Sequence, residues 1–90
     1  MRKSSNVSTE TRNIHLGYYA VLREQRGLSE ERLATAAATP RALYEELRAR
    51  HGFRLGVPQL RVVVNDEFGS WDTPLQEGDH VVFIPPVAGG

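Results

Sequence analysis

The run Thr39-Pro40-Arg41-Ala42-Leu43-Tyr44-Glu45-Glu46-Leu47-Arg48-Ala49-Arg50-His51-Gly52 contains a start signal, a periodic body and a stop signal. Threonine caps a helix because its hydroxyl accepts from a backbone N–H that the first turn leaves unpaired. Proline tolerates the first helical position because no donor is needed there. Leu43, Tyr44 and Leu47 then fall on one face at helical spacing, with Glu45, Glu46, Arg48 and Arg50 on the other, and Gly52 is the natural stop. One helix with one apolar face calls for a sheet to cover, and the flanking sequence supplies it.

Upstream, Ile14, Leu16 and Tyr18 alternate with Asn13, His15 and Gly17, which predicts a first strand with three apolar side chains on one face and Tyr19 on the other. Ala20 to Glu24 reads as a short helical turn that Gly27 ends, and a weaker second strand is expected around Arg32 to Ala36, since alanine is a poor strand former. Downstream, Leu60, Val62 and Val64 alternate in a β-branched run. Asn65-Asp66-Glu67 forms a turn into a short strand from Phe68 to Trp71, and a last strand from His80 to Ile84 ends at Pro85-Pro86. The expected architecture is α+β: a small mixed sheet covered on one face by one main helix. Residues 1–12 form a flexible polar leader, 13–84 the domain and 85–90 an extended C-terminal tail.

At 90 residues the chain is one domain and too small to enclose a large cofactor around a private active site. It has no cysteine, which excludes a disulfide framework, a cysteine nucleophile and a thiolate metal site. Eleven basic and eleven acidic residues cancel, against the basic field of a nucleic-acid binder. The cancellation hides an asymmetry, because every Lys and Arg lies at or before Arg61, while the sequence from Val62 onward holds Asp66, Glu67, Asp72, Glu77 and Asp79. These acids read either as a solvated surface or as a patch for a basic partner. No apolar run suffices to span a bilayer, and a cytoplasmic location is expected.

The chain offers little machinery for catalysis. His15, His51 and His80 stand on different elements without an acidic partner at ligand spacing, so no metal site is expected and each reads as a surface or strand-edge histidine. The glycines form no phosphate-binding loop, and Trp71 and Tyr44 read as packing residues. Attention therefore falls on Pro85-Pro86-Val87-Ala88-Gly89-Gly90. Two terminal glycines would occur by chance in roughly one chain in two hundred. Six extended residues reach roughly 20 Å, enough to enter a neighbouring protein. Gly89 and Gly90 lack Cβ atoms and can thread a narrow channel, while the two prolines lower the entropy cost of ordering the tail. An ionised carboxylate resists nucleophilic attack. It requires activation from outside, such as ATP-dependent adenylation followed by attack of a sulfur nucleophile on another protein.

The run Leu75-Gln76-Glu77-Gly78-Asp79-His80-Val81-Val82-Phe83-Ile84-Pro85-Pro86-Val87-Ala88-Gly89-Gly90 is similar to the ending of the ubiquitin-like β-grasp sulfur carriers, in particular the small subunits of molybdopterin synthase. Leu16-Gly17-Tyr18-Tyr19-Ala20-Val21-Leu22-Arg23-Glu24 resembles the family's first strand, and Val63-Val64-Asn65 also matches. The resemblance implies a β-grasp fold with a flexible diglycine tail and no catalytic residues of its own. Gly90 would be adenylated by a relative of the ubiquitin-activating enzymes, with the activating enzyme consuming ATP, and thiocarboxylated from a sulfur-donating persulfide protein. Pro85, Pro86, Val87, Ala88 and Gly89 would lie in the channel of a large subunit, within a heterotetramer of two small and two large subunits. Sulfur would pass there to cyclic pyranopterin monophosphate. No cofactor, nucleic acid or membrane is implied.

The same resemblance assigns docking to Tyr19, Phe68 and Ile84, with Arg23 as a polar contact. Alternation independently puts Val82 and Ile84 on the face away from the helix. Phe68, where an aliphatic residue is common, and the polar leader depart from the family pattern. Three other readings stay open: a sibling carrier for thiamine, cysteine or tRNA thiolation, a ubiquitin-like modifier joined through Gly90 to lysine, and a binding module with no chemistry at its end. The Pro85-Pro86 pair favours the pterin branch.

Overall fold

A computed structural model describes residues 11–86. The elements run β1 (Arg12–Tyr18), α1 (Ala20–Arg26), β2 (Glu30–Thr35), α2 (Pro40–His51), a 3-10 turn (Val57–Gln59), β3 (Arg61–Val64), β4 (Glu67–Phe68) and β5 (His80–Ile84). The five strands form one mixed sheet in the order β2-β1-β5-β3-β4, with β1 and β5 parallel at its centre and the other pairs antiparallel. The α+β architecture, one helix against one face of a small mixed sheet, is the one the sequence predicts.

Each signal of the helical run does what its chemistry implies. The Thr39 hydroxyl accepts from Ala42 N at 3.2 Å, Pro40 occupies the first turn, and Gly52 closes α2 in the left-handed region at φ 73°. Leu43, Tyr44 and Leu47 are fully buried. They meet Ile14, Leu16 and Tyr18 of β1, Val62 of β3, and Val81 and Phe83 of β5 in a single core. Burying a side chain of this size contributes about 1.5–3 kcal/mol, so the shared apolar face holds helix and sheet together.

Three boundaries differ from the sequence reading. β1 begins at Arg12, whose backbone pairs with Thr35 and whose guanidinium donates to Ala37 O at 2.6 Å. β2 starts at Glu30 rather than near Arg32, because Glu30 and Glu31 pair with Gly17 and Leu16 across the ladder. β4 stops at Phe68 and does not reach Trp71. After Gly69 the chain turns inward, Trp71 stacks on Phe83 at 5.8 Å between ring centroids and meets Tyr44 edge-on, and its carbonyl accepts from Arg41 N at 3.0 Å. Packing of the indole outweighs continuation of an exposed edge strand. The packing role of Trp71 and Tyr44 is as expected.

The β3–β4 hairpin turns through Asn65 and Asp66, both with positive φ (53° and 72°), and Val64 pairs with Glu67. Two left-handed residues in a two-residue loop match the right-handed twist of the strands, and Asn and Asp bear that conformation better than other side-chain-bearing residues. Asn65 also ties the hairpin to β5, its Oδ1 accepting from His80 N at 2.9 Å and its Nδ2 donating to Asp79 Oδ1 at 3.0 Å.

Candidate functional site

β5 delivers the chain to the site. Tyr18 pairs with Phe83 on one side and Arg61 with Ile84 on the other, so Ile84 ends the strand at one margin of the sheet. Beyond it Pro85 is buried and Pro86 exposed. Proline has no N–H to lose from the ladder, which lets the strand stop here without orphaning a buried donor. Of the residues expected in the tail, Val87, Ala88, Gly89 and Gly90 lie outside the described residues.

Two grooves flank this root. One, of about 590 Å³, is lined by Tyr19, Ala20, Val21, Leu55, Ile84, Pro85 and Pro86. The other, of about 510 Å³, runs along Leu60, Arg61, Phe68, Trp71, Ile84, Pro85 and Pro86 among others. Ile84-Pro85-Pro86 is the wall they share.

The residues named from sequence gather here to different degrees. Tyr19 is 55% exposed, whereas Tyr18 beside it is fully buried, as the alternation requires. Tyr19 keeps the extended backbone of β1, and the chain turns into α1 only at Ala20, whose φ of 53° costs an L-residue about 1–2 kcal/mol. Phe68 is 72% exposed. Val82 and Ile84 are half-buried while Val81 and Phe83 are fully buried, so β5 divides its side chains between the two faces. The register places Gly17, Val82, Val63 and Phe68 opposite one another across four strands, making one apolar row on the face that no helix covers. A Cβ on Gly17 would come within 3.1 Å of Val82 Cγ2, so glycine is what lets Val82 lie flat in that row. Arg23 is exposed on α1 and lines neither groove.

Leu55 and Val21 are groove residues that periodicity did not reveal. Leu55 sits in a loop without a repeat, and its position comes from α2: the Tyr44 hydroxyl donates to Leu55 O at 2.7 Å, and burial pushes that phenol up to about 12. α1 is fixed by a second network. The buried Tyr18 hydroxyl donates to Glu31 Oε2 at 2.6 Å, and Arg26 grips both oxygens of the same carboxylate at 2.9 and 2.8 Å. The Arg26 hydrogen bonds hold the Glu31 carboxyl below its ordinary range, and burial with help from Glu31 drives the Tyr18 phenol well above its own.

The histidines require a correction. Parallel pairing brings His15 and His80 together with their rings stacked 4.6 Å apart, and His15 does have an acidic neighbour, Glu30, at 3.0 Å. Strand pairing, invisible in sequence spacing, makes that cluster. Among the described residues no group of three or more His, Asp or Glu side chains is arranged to hold a metal ion.

A five-stranded mixed sheet packed on one face by a helix, with an exposed apolar row on the other, is a β-grasp fold of the ubiquitin-like kind. The solved structures agree on the fold: a ubiquitin from Caldiarchaeum subterraneum superposes with a TM-score of 0.60 at 20% identity, covering 90% of this chain and 100% of that one. The ThiS family model matches residues 16–90, and the chain belongs to that family. It is 36% identical over 76 residues to the molybdopterin synthase sulfur carrier subunit of Escherichia coli strain K12, spanning 81% of this chain and 94% of that protein. It is also similar to a putative molybdopterin converting factor subunit 1 from Pyrococcus furiosus, with a TM-score of 0.69, 31% identity and coverage of 84% of this chain and 99% of that one.

Proposed function

We propose that this chain is the sulfur carrier subunit of a molybdopterin synthase and that Gly90 bears the sulfur. The observation that supports this most is the 36% identity to the Escherichia coli sulfur carrier subunit across 94% of that protein's length. In the proposed cycle an adenylyltransferase joins the Gly90 carboxylate to the α-phosphate of ATP and releases pyrophosphate. The outer sulfur of a persulfide on a second protein then attacks the acyl carbon and AMP departs, leaving an acyl disulfide between the two proteins. A second thiol attacks the inner sulfur, forms a disulfide with it and releases the terminus as a thiocarboxylate. The charged end enters the large subunit and passes its sulfur to cyclic pyranopterin monophosphate. After two deliveries the dithiolene is complete, and each spent carrier leaves with an ordinary carboxylate.

The sequence of the tail fits a role in presentation. Gly89 and Gly90 add no side chain to obstruct a channel, and Pro85 and Pro86 limit the tail's freedom beforehand. The proposed docking face comprises Tyr19, Phe68, Val82 and Ile84, with Arg23 at its margin. The catalytic side chains belong to the large subunit, in a heterotetramer of two copies of each chain working in the cytoplasm.

Intact-mass measurement tests the reading. After incubation of the full chain with its activating enzyme, ATP and a sulfur source, a sulfur-for-oxygen gain at the terminus is expected. A chain that stays unmodified, or that appears only as a lysine conjugate of another protein, would refute the carrier role.

A further inference from the structure

We infer that the root of the tail is a basic docking collar, formed by Arg23, Arg54 and Arg61, and that the partner's tail-accepting mouth is rimmed with carboxylates. The inference rests on the proposed carrier role and adds the chemistry of the surface that receives the tail.

Chain order points the other way, since the acidic residues after Val62 are the ones nearest the tail in sequence. Folding reverses this. β3 runs away from the tail, with Arg61 opposite Ile84 and Val64 opposite Val81, so Asp66 and Glu67 are carried to the far margin of the sheet. Asp79 precedes β5 and sits at that same margin. Four residue steps along β5 separate the two margins by about 13 Å. That exceeds the Debye length of about 8 Å at physiological ionic strength, so the far acids are largely screened from the root.

Arg61 is close by the same geometry, and Arg54 and Arg23 lie next to, or two residues from, the groove-wall residues Leu55 and Val21. Arg61 is one strand spacing, about 5 Å, from Ile84 and lines the Phe68 groove. Arg54 precedes Leu55, a wall of the opposite groove, and its backbone N–H is held by Gln25 Oε1 of α1 at 3.3 Å. Arg23 is on α1, its N–H bonded to Tyr19 O at 3.5 Å. All three are exposed, and no carboxylate among the described residues lies within salt-bridge distance of any of them. Of the acids at this end, Glu30 and Glu31 are already engaged by His15 and Arg26, and Glu24 stands exposed on α1. Guanidinium groups around an apolar centre of Tyr19, Ile84 and Phe68 suit a protein mouth with acidic edges, where opposite charge accelerates encounter and orients docking.

Stopped-flow association of the full chain with the molybdopterin synthase large subunit of the same genome is the test. The rate should fall roughly tenfold between low salt and about 0.5 M salt. Arg54→Glu combined with Arg61→Glu should lower the low-salt rate about tenfold and flatten the salt dependence. Asp66→Asn, at the far margin, should leave it unchanged. If the double variant does not fold, Arg54→Glu alone, in a loop, should slow association about threefold. Salt-independent association, or faster association on charge reversal, would overturn the inference while leaving the carrier role standing. Failure of the wild-type chain to bind that subunit at all would remove both.

Discussion

Asn65 and Ile84 lie at opposite margins of the same strands, and the chain treats the two margins differently. At the Asn65 margin two carboxylates, those of Glu77 and Asp79, are occupied by the fold itself. Glu77 accepts from Asn13 N at 2.8 Å and Asn13 Nδ2 at 3.0 Å, and those bonds, the backbone one foremost, hold its carboxyl below the ordinary range. Asp79 accepts from Asn65 Nδ2 at 3.0 Å and Gln76 N at 2.9 Å. At the Ile84 margin, large apolar side chains and arginines stay exposed around a strand that ends in proline. One margin closes loops and the other leaves its aromatic side chains exposed. A cluster of like charge in a sequence therefore says little about function until its hydrogen-bond partners are known.

The largest expected effect concerns the open margin. Deleting Gly90, adding one residue after it, or replacing Gly89 with phenylalanine should reduce sulfur transfer to background while the thermal unfolding transition stays unchanged, because the core is built from residues between Ile14 and Phe83 among the described residues. Activity measured in a reconstituted synthase would check this, and appreciable transfer by any of the three would break the contrast. Next in size, Phe68→Ala and Tyr19→Ala should each weaken binding to the large subunit by about 2 kcal/mol, near thirtyfold, as expected of exposed aromatic anchors. Titration calorimetry gives the value, and an unchanged Kd would remove those residues from the docking face.

A smaller effect concerns the scaffold behind the open margin. Glu31→Gln should destabilise the domain by about 1–3 kcal/mol near neutral pH, by leaving Tyr18 and Arg26 without their charged acceptor. The Glu31 pKa is lowered on folding, so its contribution is present above the ordinary value of 4.5 and fades as pH falls through the folded value. Denaturant melts of the two proteins should therefore converge on acidification. The smallest effect belongs to the closed margin. Asp66→Gly relieves a left-handed aspartate at φ 72° and should stabilise the hairpin by about 0.5 kcal/mol with no change in partner binding. A change in binding would mean that the hairpin also touches the partner.

Legibility in the sequence followed the range of the interactions. Thr39, Pro40 and Gly52 could be read because a cap is decided by bonds spanning three or four residues, and β5 because an apolar run meets two prolines. Trp71 was misplaced in a strand because its preference for the Phe83 ring is a contact between distant positions. His15 and His80 were separated for the same reason, and Leu55 became a groove wall only through the Tyr44 hydroxyl.

The sequence alone determined the order of elements, the buried face of the helix and the outward turn of Tyr19, since each follows from local pattern. Only the tertiary structure decided which charges surround the root of the tail. The reversal of the chain through β3 carries sequence-near acids to the far margin and sets Arg61 opposite Ile84. Electrostatic force depends on distance through space, and strand pairing sets that distance without regard to separation along the chain.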